Sequence, residues 1–88
     1  MDRHIIVGVH VTDRLENAAP VQAVLTEYGC FIKTRLGLHE TADGRKCCSK
    51  NGLLILEMIG ELADTNAMIS KLAAIPGLHV QKMVFEHF

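Results

Sequence analysis

Apolar residues along this chain fall into two alternating patterns, one with the period of a strand and one with that of a helix. His4 to Thr12 is rich in β-branched residues and bounded by charge, which predicts a strand. Leu53 to Gly60 predicts another, and its Leu53-Leu54-Ile55-Leu56-Glu57-Met58-Ile59 is apolar at nearly every position, as in a strand covered on both faces. Cys30 to Leu38 reads as an extended run with Lys33 and Arg35 on one face, and Leu78 to Phe85 as a last strand. Between the first two of these in the chain, Val21, Val24, Leu25 and Tyr28 recur at helical spacing. Asn17 is a plausible cap for that helix, with Ala18, Ala19 and Pro20 in its first turn. A start nearer Asp13 would put Pro20 inside the helix and kink it. Gly29 stands where a left-handed residue would end the helix, which makes Cys30 a small core residue at the start of the next strand. A second helix follows Gly60-Glu61-Leu62, capped by Asp64 or Thr65, with Met68, Ile69, Leu72 and Ile75 as its stripe. Pro76-Gly77 ends it.

The two halves repeat. A shift of forty-eight residues, without gaps, lays Ile5-Ile6-Val7 on Leu53-Leu54-Ile55, Val21 on Ile69, Val24 on Leu72 and Gly29 on Gly77. Each half is strand, helix, glycine, strand. Two such halves predict an α+β fold, the βαββαβ ferredoxin-like sandwich of one antiparallel sheet under two helices. Its central strands are the first and third, and these are the two most apolar ones here. Alternation then turns Ile5, Val7, Val9, Val11, Leu54, Leu56 and Met58 toward the helices. The other face would carry His4, Ile6, Gly8 and His10, then Leu53, Ile55, Glu57 and Ile59, then Lys33, Arg35 and His39.

That second face is too aliphatic for open water, and no third layer is available in the sequence to cover it. Ile6, Leu53, Ile55, Glu57, Ile59 and Arg35 are therefore expected to form the contact of a dimer or tetramer. Glu57, the one charge in its strand, needs a cation or donor beside it, with Arg35 and Lys33 as candidates.

Eighty-eight residues make one domain spanning 1–88, close to the size at which association adds useful stability. A net charge of −1 offers no field that would attract DNA, so no direct DNA contact by this chain is expected. No apolar run approaches the ~20 residues of a membrane span. The opening Asp2-Arg3-His4 lacks the layout of a signal peptide, and three cysteines, two of them adjacent, make a poor disulfide framework. A cytoplasmic location is expected.

Candidate chemistry gathers around the thirteen-residue polar segment His39 to Asn51, which holds Cys47 and Cys48. At that length it exceeds the usual hairpin link and should become ordered on meeting a partner, a metal or an effector. The fold brings His10, His39, Cys47, Cys48 and His79 to one end of the sheet. His10 and His39, two strand spacings or about 9.5 Å apart, reach one transition metal ion if they share a face, and a loop thiolate would complete the set. Surface histidines at strand ends are also common, and neither Cys-x-x-Cys nor His-x-x-x-His spacing occurs. No nucleophile, base and orienting group stand together, so the chain is not expected to be an enzyme.

Thr34-Arg35-Leu36-Gly37-Leu38-His39-Glu40, the Cys-rich loop, Asn51-Gly52-Leu53-Leu54-Ile55-Leu56-Glu57 and Leu72-Ala73-Ala74-Ile75-Pro76-Gly77-Leu78-His79-Val80 together resemble a small bacterial family of iron-only hydrogenase system regulators. The likeness covers nearly the whole chain. It implies an ACT-like fold, similar also to the effector-binding part of the nickel-responsive repressor, together with homo-oligomer formation and a ligand-sensing or assembly role in transcriptional regulation. The chain has neither a helix-turn-helix segment nor a ribbon-helix-helix arm, so any action on DNA would pass through a partner. A metal-binding sensor or carrier built on the His/Cys end of the sheet is the competing expectation.

Overall fold

The most regularly alternating segment of the sequence becomes the middle of the sheet. The computed structural model describes residues 3–11, 14–39 and 52–86. Within them the chain runs β1 (Arg3–Val11), α1 (Arg14–Glu27), a short 3-10 turn (Gly29–Phe31), β2 (Ile32–His39), β3 (Gly52–Met58), α2 (Leu62–Ala73) and β4 (Leu78–Glu86). The four strands form one sheet in the order β2-β3-β1-β4, with every neighbouring pair antiparallel. This is the ferredoxin-like βαββαβ arrangement, with β1 and β3 central as their apolar content requires.

One face of the sheet and the two helices enclose the core. Ile5, Val7, Val9 and Val11 of β1 are buried with Leu56 and Met58 of β3, against Val21 and Leu25 of α1 and Met68 and Leu72 of α2. Leu54 packs on the same cluster from β3. Every second residue of two central strands therefore points the way alternation predicts. The helices are tied to each other at one end, where Lys71 Nζ donates to Glu27 Oε2 at 2.6 Å and lies 5.4 Å from the centre of the Tyr28 ring. Both charged side chains are about half exposed, so the pair adds little to stability and mainly fixes the helix approach.

Local details depart from the sequence expectation in physically readable ways. Helix α1 begins at Arg14 rather than after an Asn17 cap, so Pro20 lies inside it and the Glu16 carbonyl loses its helical donor. Helix α2 begins after Glu61, so neither Asp64 nor Thr65 is its cap. Thr65 is instead fully buried within the first turns. Gly29 opens the 3-10 turn and is not left-handed; the positive φ angles belong to Gly60 (96°) and Gly77 (86°). Cys30 lies in that turn and is exposed, not a core residue. The turn satisfies its backbone partly within itself, with Phe31 N–H donating to the Tyr28 carbonyl at 2.9 Å, and partly from just past β3, where Ile59 N–H donates to the Phe31 carbonyl at 2.7 Å.

The most consequential departure is in β2. Ile32 pairs with Met58 and Thr34 with Glu57, so Lys33 is an extra residue on its strand, a β-bulge. Beyond it the alternation is reversed. Thr34, Leu36 and Leu38 take the register positions of the open face, while Arg35 pairs with Leu56 on the helix side.

Candidate functional site

The face of the sheet away from the helices is where the unexplained side chains collect. Cross-strand register places Thr34 and Leu36 of β2 beside Glu57 and Ile55 of β3, and these beside Ile6 and Gly8 of β1. On the far side, His4, Ile6, Gly8 and His10 face Phe85, Met83, Gln81 and His79 of β4. Ile6, Leu53 and Ile55 are half-buried among their neighbours. Leu36, Met83 and Phe85 are 52%, 56% and 50% exposed, and Ile59, just past the end of β3, is 47% exposed. At the centre, Gly8 has no side chain, and a Cβ built there would meet nothing within 4 Å. The result is an apolar surface with a shallow middle.

Glu57 is the one carboxylate among the described residues of the face, which is built to hold it charged. Its Oε2 lies 2.8 Å from His4 Nε2, its Oε1 accepts the Thr34 hydroxyl at 2.8 Å, and Lys33 Nζ stands 3.9 Å away. The hydrogen bond to His4, then that from Thr34, together with the nearby Lys33 charge, holds the Glu57 carboxyl below its ordinary pKa. The expectation of a cation beside Glu57 holds for Lys33 but not for Arg35, which the bulge sends to the other face. His4 and Thr34 were not foreseen as its partners. Their signal lay in register alone, because Glu57 is level with Ile6 and Thr34 while His4 sits two residues from Ile6 on the same face.

The predicted metal set divides. His10 and His79 are direct cross-strand partners on the open face, with ring centroids 6.3 Å apart. His39 pairs with Gly52, the position level with Val11, so its register is one residue out of phase with His10. Cys47 and Cys48, and the loop expected to order on a partner, lie outside the described residues. Among the described residues, no cluster of three or more His, Cys, Asp or Glu groups is placed to hold a metal ion. Met83, Phe85 and Leu36 were missed as members of the face. Alternation along Leu78–Phe85 could have found the first two, whereas Leu36 depended on the bulge.

No helix among the described residues is long and apolar enough to cross a membrane. No family model and no curated protein matches the sequence. Solved structures do match. An uncharacterised protein TM1266 from Thermotoga maritima superposes with a TM-score of 0.80 at 19% identity, over 97% of this chain and all of that one. The C-terminal domain of the MgtC protein from Mycobacterium tuberculosis superposes at 0.64 with 16% identity, over 97% of this chain and 89% of that one. At these identities the likeness is one of fold. It shows that the chain is a small ferredoxin-like domain.

Proposed function

We propose that this domain is the ligand-sensing or assembly module of a regulatory system, and that it acts as a homo-oligomer joined through the open face of its sheet. The observation that carries the reading is the patch formed by Leu36, Ile55, Ile6, Met83 and Phe85, which faces solvent in the single chain. Four strands at ~4.8 Å spacing and about seven paired residues at ~3.3 Å make a face of roughly 19 by 23 Å. With side-chain relief added, that is near the low end of what one partner contributes to a specific interface.

A second copy fits this face best. Among the described residues its only carboxylate, Glu57, is already supplied with donors from its own chain, so an apolar surface of the same kind can cover it without stranding a charge. Sheets pack face to face at about 10 Å, and Gly8 at the centre of the face admits close approach. The regulatory part of the reading draws on the sequence resemblance to iron-only hydrogenase system regulators. Any effect on DNA would run through a partner protein, and the module itself carries out no catalysis.

Light scattering coupled to size exclusion at micromolar concentration tests the assembly. A dimer or tetramer that Ile55→Lys reduces to a folded monomer is expected; a wild-type monomer would defeat the proposal. A thermal-shift screen of small metabolites against the oligomer tests ligand sensing.

A further inference from the structure

Two imidazoles meet where β1 ends and β4 begins. His10 and His79 are directly opposed in the antiparallel β1–β4 pair, both are exposed, and their rings lie 6.3 Å apart at 40°. We propose that this pair is a chelating site for one late first-row divalent cation, with zinc as the probe ion.

The geometry is close to what chelation needs. Imidazole nitrogen binds zinc at about 2.0–2.1 Å, which sets a ring centroid roughly 3 Å from the ion and two such centroids about 5 Å apart around a tetrahedral centre. The rings here must close by about 1 Å. Side-chain rotation of two exposed histidines supplies that without moving the strands. Because strand pairing already fixes both backbones, little further ordering opposes binding.

The surroundings agree with a cation of this class. The neighbouring open-face positions are Gly8 and Gln81 along the strands and Leu53 across on β3, so among the described residues no lysine or arginine stands beside an ion there. Nor does a carboxylate stand at those positions, which disfavours magnesium and calcium, whose preferred ligands are oxygens. Imidazole suits zinc, copper and nickel. The contrast with the other end of β1 is instructive. His4 also lies on the open face, but its Nε2 is engaged with Glu57 Oε2 at 2.8 Å. Two protein ligands leave the remaining coordination positions to water or to a neighbouring molecule, so micromolar rather than structural-site affinity is expected.

The inference does not depend on the assembly reading, and the test keeps them apart. Tag-free protein is titrated with zinc by calorimetry, and the imidazole resonances are followed by NMR. One zinc per chain is expected, shifting the His10 and His79 rings together and leaving His4 in place. His10→Ala and His79→Ala should each weaken binding roughly tenfold or more, whereas His4→Ala, Cys30→Ser and the Cys47→Ser, Cys48→Ser double variant should retain it. Absence of binding at a large excess of zinc would overturn the proposal. So would binding that survives loss of either imidazole, or that disappears only with the thiols.

Discussion

Thr34 stands directly across from Glu57, and its hydroxyl donates to Glu57 Oε1 at 2.8 Å. The contact exists because Lys33 is bulged out of the β2 ladder, which advances Thr34 into the place that unbroken alternation would give to Lys33. One inserted residue thus does two things. It supplies the Glu57 carboxylate with a neutral donor, and it sends the Arg35 position to the other side of the sheet.

Stability should fall in acid in a way that Glu57 accounts for. The hydrogen bond to His4, then that from Thr34, depresses its folded pKa below the ordinary 4.5. Between those two values the unfolded chain binds more protons than the folded one, so folding weakens as pH drops. The contribution is fully present above about pH 4.5 and lost as pH falls through the folded value. Urea unfolding of wild type and Glu57→Gln from pH 6 to pH 3 should give a shallower acid slope for the variant. In His4→Ala, the Glu57 carboxyl followed by NMR should titrate at higher pH.

Gly8 separates the stability of the chain from its assembly. A Cβ there meets open space, and glycine inside a strand costs about 0.5–1 kcal/mol relative to alanine. Gly8→Ala should therefore leave the fold as stable or slightly more so. A bulkier Gly8→Leu should weaken the oligomer without unfolding the chain, as read by sedimentation velocity beside circular dichroism. Equal association of Gly8→Leu and wild type would place the interface elsewhere.

Two glycines should respond oppositely to alanine. Gly60 holds φ at +96°, and a Cβ there would come within 3.0 Å of Phe31 Cδ1, so Gly60→Ala should cost on the order of 1–3 kcal/mol. Gly29 has neither constraint, and Gly29→Ala should be neutral or mildly stabilising. Thermal melts of both variants check the pair.

Thr65 is a point of correctable instability. It is fully buried in α2, and its Oγ1 has no hydrogen-bond partner among the described residues. An unsatisfied buried hydroxyl costs about 1–3 kcal/mol, and valine replaces it with nearly the same shape. Thr65→Val should stabilise by about 1 kcal/mol, which for a domain of this size raises Tm by roughly 4–8 °C. A lower Tm would mean that the hydroxyl is satisfied in solution.

The sequence by itself determined the architecture and most of the core. β1 buries one side from Ile5 to Val11 and β3 buries Leu56 and Met58 on the same side, so a period of two was enough to sort these six from their neighbours. The forty-eight-residue repeat then set the element order, because two like halves close into one sheet. Contacts between elements decided the rest. A bulge leaves no mark on its own strand; it exists only against the ladder of β3, so Arg35 could not be removed from the face, nor Thr34 and Leu36 added, until β2 was paired. Gly29 and Gly60 differ for the same reason. Gly60, in the turn from β3 into α2, is pressed against Phe31, whereas Gly29 after α1 has open space around it. The histidines divide along this line too. Topology brought His10, His39 and His79 to one end of the sheet, while register alone made partners of His10 and His79 and put His39 out of phase. Periodicity is written in each segment, because burial acts on each side chain locally; register is a property of two segments, and only their pairing in three dimensions decides it.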